Sequence, residues 1–285
     1  MDGAAVRKGR QMTRPYVLII SNRKGGSGKT TTVVNLAAEW AARGRRVLVI
    51  DLDTQGHSGF GLGIDQIKSG KSAHDLFNAP DFDIRDAVQA TVWPNLWCVP
   101  ADPLYDGIGA SQDTLLLARQ LRRPEMNSYD VIILDTPPSL DLVLTNAMAA
   151  ADGILIPLQP HTLAAEGVKQ VSRLFYKTVT TSNPGLKLVG LVPVMSSDRI
   201  GHHRAIIADI SRQFGSERLL PPIRNDIQLA AAFAERQPIR HFAPRSRGTL
   251  DYYLLAEELA NIWRWPPRRA AEAGSASFKP KQKVS

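Results

Sequence analysis

The chain has a single cysteine, Cys98, in 285 residues. One thiol excludes an internal disulfide framework, a zinc site built on cysteines and a CxxC redox pair. Its surroundings, Leu96-Trp97-Cys98-Val99-Pro100, read as a buried strand in which cysteine serves as a small apolar residue. Long hydrophobic runs are also missing. No uninterrupted apolar stretch approaches the roughly 18 residues that cross a bilayer, and the charged N-terminus has no apolar signal core, so a cytoplasmic protein is expected. Acidic residues are the minority, 27 against 35 basic ones, and residues 199–247 contain no lysine at all. What is present in quantity is apolar residue, 44% of the chain, enough to bury the core of one α/β domain of about 250 residues.

The net charge of +8 is unevenly placed. Residues 1–14 hold four basic and one acidic residue and residues 261–285 hold six and one, so the body between them is balanced at 25 of each. Inside that neutral body, residues 199–247 carry nine arginines against Asp209, Glu217, Asp226 and Glu235. A basic C-terminal region on a balanced domain is what contact with a phosphate backbone requires.

The chemistry-bearing segment is Arg23-Lys24-Gly25-Gly26-Ser27-Gly28-Lys29-Thr30-Thr31. It lacks the leading glycine of the general pattern Gly-x-x-x-x-Gly-Lys-[Ser/Thr], yet keeps its physics. Gly25, Gly26 and Gly28 let successive N–H groups face phosphate oxygens, and a helix starting near Lys29 adds its positive end. Lys29 would reach the outer phosphates of a nucleotide and the Thr30 hydroxyl would ligate Mg²⁺. An apolar run, Tyr16 to Ile20, precedes the loop, and a helical pattern through Val33, Val34, Leu36, Ala37, Trp40 and Ala41 follows it.

Further along, the periodicity predicts helix 29–43, strand 47–51, strand 96–100, a helix near 114–121, strand 131–135, helix 140–150 and strand 153–157. Helix 163–180, strand 187–194, helix 203–214, an irregular segment and helix 249–263 complete the order. Strands that are apolar throughout and alternate with helices imply a three-layer α/β fold, a mostly parallel sheet covered by helices on both faces. Nucleotide sites in such sheets lie at the carboxyl ends of the strands. Residues 266–285 combine Pro, Ala, Ser and Lys without apolar period and read as a disordered basic tail, while residues 1–15 form a basic extension, leaving 16–265 as the domain.

These motifs together resemble the ParA/MinD group of P-loop ATPases, whose altered Walker A motif reads Lys-Gly-Gly-x-Gly-Lys-Thr. Val49-Ile50-Asp51-Leu52-Asp53-Thr54-Gln55-Gly56 is similar to the group's Asp-x-Asp-Pro-Gln segment, with Thr54 in place of proline, and Tyr129 to Pro138 is similar to its Walker B strand. Ile156 to Gln159, Leu163 to Gly167 and Ser246-Arg247-Gly248 continue the likeness in order, the last resembling an element common in partition members. The resemblance implies a P-loop NTPase that hydrolyses ATP with Mg²⁺. Thr30, Asp51 and Asp135 would surround the ion, the aspartates through water, and Asp53 would orient the attacking water. Lys24 would reach across a homodimer to the partner's nucleotide, joining Lys29 and Asp53 as a catalytic residue, while the loop from Lys24 to Thr31 cradles the phosphates.

For partners, the resemblance to the ParA branch implies nonspecific double-stranded DNA, bound through Arg247 with Arg224 and Arg245 on the same face, a ParB-like adaptor, and a nucleoid-associated location. About 15 residues precede the first strand, so no N-terminal helix-turn-helix is expected and DNA contact would be sequence-independent. Other members position non-DNA cargo with the same residues. A MinD-like membrane cycle needs a C-terminal amphipathic helix; Trp263-Arg264-Trp265 hints at one, but Pro266-Pro267 would end it, and no membrane partner is expected. Iron–sulfur relatives need two cysteines per chain and are excluded by Cys98 alone. An amide-forming metabolic enzyme or a conjugation factor would need a substrate pocket motif that the sequence does not offer.

Overall fold

Runs with no polar break become the inner strands of one sheet. A computed structural model describes residues 14–64, 70–79, 81–139 and 141–265; the basic extension up to residue 13 and the tail from 266 lie outside them. The strands are β1 (Tyr16–Ile20), β2 (Val47–Asp51), β3 (Gln89–Ala90), β4 (Leu96–Val99), β5 (Val131–Asp135), β6 (Gly153–Leu158), β7 (Lys187–Ser196) and β8 (Ile223–Arg224). They form an eight-stranded sheet in the order β3-β4-β2-β5-β1-β6-β7-β8, parallel except where β3 pairs with β4. The three-layer expectation is therefore met.

The helices are α1 (Lys29–Ala42), α2 (His57–Gly61), α3 (Asp75–Asn78), α4 (Leu116–Leu121), α5 (Leu142–Ala150), α6 (Ala164–Thr181), α7 (Gly201–Phe214), α8 (Ile227–Ala234), α9 (Ile239–Phe242) and α10 (Arg247–Ile262). Alternate residues of each strand serve opposite faces. Val17 and Ile19 of β1 join a core with α3 to α7, whereas Leu18 and Ile20 join one with α1, α8, α9 and α10. Because the central strands are buried on both sides, their apolar runs need no alternation.

The segment expected to be irregular after α7 holds β8, α8 and α9. Local caps explain this order. The Asp226 carboxylate accepts from the Gln228 N–H at the start of α8 (3.0 Å) and from the Gly248 N–H at the start of α10 (2.8 Å), tying two helix starts together. Beyond α10, Trp263 and Trp265 fold back on Trp40 of α1, each at a ring-centroid distance of 5.4 Å, and Trp263 also lies 4.3 Å from Tyr16. The Trp-Arg-Trp segment thus belongs to the domain's packing. Among the described residues no helix is long and apolar enough to cross a membrane.

Candidate nucleotide site

The register of β2, β5 and β1 sets the site. Asp51 pairs with Asp135 across β2 and β5, and Asp135 with Ile20 at the end of β1, so two fully buried carboxylates and the glycine loop share one edge of the sheet. The loop leaves β1 and enters α1 through Gly28 at φ 80°, a left-handed conformation, with Gly26 also left-handed at φ 70°. No side chain caps α1 at Gly28, and an added Cβ at Gly25 or Gly26 would meet nothing within 4 Å. The first N–H groups of α1 therefore have no capping side chain, and the loop is open at Gly25 and Gly26, an arrangement that suits an anion.

Thr30, Lys29 and Asp135 come together beside this loop, with Ser58 behind them. Thr30 donates from Oγ1 to Asp135 Oδ2 at 2.7 Å, and Ser58 donates to the same oxygen at 2.7 Å. Asp135 Oδ1 is buried without a hydrogen-bond partner, as is the Ser27 hydroxyl in the loop. Lys29 is buried, which lowers its pKa, while the charges of Asp135 and Asp53 work in the opposite direction. Burial pushes the Asp135 carboxyl up to about 6, restrained by the Thr30 and Ser58 hydroxyls and by Lys29. A buried carboxylate oxygen without a donor, beside a threonine hydroxyl and at the mouth of a phosphate cradle, is a hard-oxygen set that fits Mg²⁺ once phosphates supply the remaining ligands.

Asp51 is placed differently. Its carboxylate accepts main-chain N–H groups from Asp53 (3.2 Å), Ser58 (2.9 Å) and Gly59 (3.2 Å), so it fastens the start of α2. Burial and then the neighbouring Asp135 charge raise its pKa well above the ordinary aspartate range. Asp53 is half-buried in the turn between β2 and α2, where its Oδ1 accepts from the Gln55 N–H at 3.1 Å. Ser58, fully buried, escaped the sequence reading; its only signal was a hydroxyl seven residues beyond Asp51.

Lys24 stands on the exposed rim. Its main-chain N–H donates to Asn22 Oδ1 (3.0 Å), and Asn22 Nδ2 donates to the Pro157 carbonyl (2.8 Å), so a buried asparagine ties the loop to the end of β6. The Lys24 Nζ lies against Nε2 of His161.

The arginines expected to face DNA divide into two kinds. Arg224 is clamped to Asp251 of α10 through Nε (3.0 and 3.1 Å) and Nη2 (2.6 Å), a two-pronged pair whose carboxylate is buried. Arg245 and Arg247 are exposed on either side of Ser246, the cap of α10, with no side-chain partner among the described residues. Arg240 pairs with buried Glu39 at 2.6 Å and Arg212 with Asp209 at 3.2 Å, so sequence proximity alone had overstated the free positive charge.

Comparison with known proteins agrees with this geometry. A family model described as an AAA domain matches residues 16–188. The chromosome partitioning protein ParA of Myxococcus xanthus is 36% identical over 262 residues, covering 90% of this chain and 92% of the relative. The sporulation initiation inhibitor protein Soj of Bacillus subtilis is 34% identical over 249 residues, covering 86% and 98%. Among solved structures, that of a Mycobacterium smegmatis protein named cobyrinic acid a,c-diamide synthase, with bound ADP and magnesium, superposes with a TM-score of 0.74 at 32% identity, covering 88% of this chain and 96% of that one.

Proposed function

The chain belongs to the ParA/MinD superfamily of P-loop ATPases, and on that premise we propose that it is a DNA-partition ATPase. It dimerises around ATP and Mg²⁺, binds DNA without sequence preference in that state, and lets go when a ParB-like partner stimulates hydrolysis, so distributing plasmid or chromosomal DNA. The observation that carries this reading is the convergence of Thr30, Asp135 and Lys29 at the glycine cradle, with a second lysine, Lys24, on its exposed rim.

Thr30 and Asp135 would hold Mg²⁺, with Asp51, already engaged by three main-chain donors, reaching it only through water; the ion would neutralise charge on the phosphate oxygens. Gly25 to Gly28 and the uncapped start of α1 would bind the phosphates, and Lys29 would pair with the outer ones. Phosphoryl transfer is limited by positioning and by positive charge on the transferring group. Asp53, anchored through one oxygen to Gln55, keeps the other for the attacking water. Lys24, exposed at the rim, would supply charge to the nucleotide of a second copy, which makes dimerisation depend on ATP.

The name of the M. smegmatis neighbour raises amide formation as another chemistry. Amide transfer from glutamine through an internal thiolate is excluded here, because the one cysteine, Cys98, is buried in β4 and its thiol is pushed well up by burial.

A direct test compares ATP binding and turnover in two variants. Lys29→Ala should lose ATP binding, whereas Asp53→Ala should bind ATP as wild type does and lose turnover by about a hundredfold or more. Normal turnover in Asp53→Ala would remove that carboxylate from the mechanism.

A further inference from the structure

We propose that His161 couples the position of Lys24 to the first turn of α6, because its ring can satisfy either the lysine or the helix start but not both. The inference rests on the reading of Lys24 as the residue that crosses to a partner's nucleotide.

The main chain of Lys24 is tied through Asn22 to the end of β6, and its side chain reaches the connection from β6 to α6. Asn22 fixes the main chain: it accepts the Lys24 N–H at 3.0 Å and donates to Pro157 at 2.8 Å. Asn22 itself has no freedom, being 3% exposed with Gly167 packed so closely that a Cβ there would stand 3.1 Å from its Oδ1. The lysine side chain, free of the cradle, runs to Nε2 of His161. On the other side of the same ring, Nδ1 accepts the Leu163 N–H at 3.0 Å, immediately before the first residue of α6.

Two donors thus converge on one imidazole. A neutral imidazole has a single acceptor nitrogen, and the other nitrogen carries the proton. With Lys24 charged, the tautomer that receives the ammonium at Nε2 carries its proton on Nδ1 and gives up the Leu163 N–H. The tautomer that receives Leu163 turns an N–H toward the lysine. A protonated ring receives neither. Burial, then the Lys24 charge, then His202 of α7 all hold the ring's pKa below its ordinary value, so the neutral ring is the relevant one near pH 7.

The contact is therefore weak by construction. A triphosphate offers several anionic acceptors at once, so Lys24 leaves the ring when a partner's nucleotide arrives, and the ring then turns wholly to Leu163. Departure of the lysine tightens the start of α6, an 18-residue helix on the sheet face opposite α1, and so reports the dimeric state to a surface remote from the phosphates.

Two substitutions separate the two halves of the coupling. His161→Ala removes both contacts. His161→Asn keeps a short side-chain acceptor two residues before Leu163 but cannot reach Lys24. In sedimentation velocity with Mg²⁺ and a slowly hydrolysed ATP analogue, both should dimerise at about fivefold lower protein concentration than wild type, since two exposed contacts are released per dimer. Hydrogen exchange of the Leu163 amide is read in nucleotide-free protein. Exchange should be slower in Lys24→Ala than in wild type, fast in His161→Ala, and equally fast when the Lys24→Ala change is added to His161→Ala. Unchanged dimerisation in both His161 variants, or a Leu163 amide indifferent to Lys24→Ala, would overturn the proposal. Wild-type dimerisation of Lys24→Ala would instead remove the trans role of the lysine, while the exchange measurement on free protein still decides whether the ring is shared.

Discussion

At the scale of single residues, the paired carboxylates Asp51 and Asp135 set the pH behaviour of the site. Their positions are opposite each other in neighbouring strands and fully buried, so neither ionises as readily as in water. For Asp135 the folded-state value of about 6 lies above its ordinary 3.8. The folded protein therefore holds that proton more tightly than the unfolded chain. Its contribution to stability is full below about pH 4 and is lost as pH rises through about 6. On the proposed role of Asp135, cation binding would run the other way, because Mg²⁺ would need the carboxylate. Mg-ATP affinity, measured by calorimetry relative to Asp135→Asn so that titration of ATP itself cancels, should rise between about pH 5 and pH 7 and level off above. A ratio that stays flat over that range would place the ion away from Asp135. Thr30 and Lys29 were read from a short loop with fixed spacing, and Asp135 from the end of an apolar strand that resembles a Walker B segment. The sequence did not reveal Ser58, Asn22 or His161, whose roles arise only where separate strands end side by side.

At the scale of elements, the six longer strands were legible because burial on both faces leaves uninterrupted apolar runs, while the two-residue β3 and β8 were too short to leave such a run. The ends of the helices that were read fell within two residues of the sequence reading. The region after α7 was not legible, since α8 and α9 are short and are organised by caps such as Asp226 and by the Arg240–Glu39 pair rather than by their own period. The C-terminal tryptophans show the same limit. In sequence they hint at a membrane-facing tip; in the fold Trp263 bridges Tyr16 and Trp40 and lies tilted against Trp265 at 4.7 Å. Removing a half-buried indole from such a cluster costs less than the ~3–5 kcal/mol of a fully buried aromatic, about 2 kcal/mol. For a domain of this size that corresponds to a fall in Tm of roughly 4–8 °C. Calorimetry of Trp263→Ala, set beside its binding to anionic vesicles, tests the point. An unchanged Tm with weakened vesicle binding would return these residues to a membrane role.

At the scale of the whole molecule, the question is how a body with balanced charge would bind a polyanion only in one nucleotide state. Among the nine arginines between 199 and 247, Arg212, Arg218, Arg224 and Arg240 pair with a carboxylate, and the partners of Arg224 and Arg240 are buried. Outside these pairs, Arg245 and Arg247 stand together, exposed at the start of α10, which packs on α1 and through it on the glycine loop. One such pair is a weak site. Two copies held side by side in a dimer act as a bivalent one, so ATP would switch DNA affinity without any new contact within a subunit. Arg247→Glu should weaken binding to unrelated duplexes equally, by about tenfold at moderate salt. It should lower the slope of log affinity against log salt by about two for the dimer, with basal ATPase activity and dimerisation near wild type. Arg224→Ala should behave otherwise: stranding Asp251 without its cation lowers Tm first and DNA affinity only as a consequence. Filter binding or anisotropy across a salt series, run with the ATP analogue, distinguishes these outcomes. Full affinity and an unchanged slope in Arg247→Glu would move the DNA contact off the start of α10, and removal of residues 266–285 would then be the variant to compare.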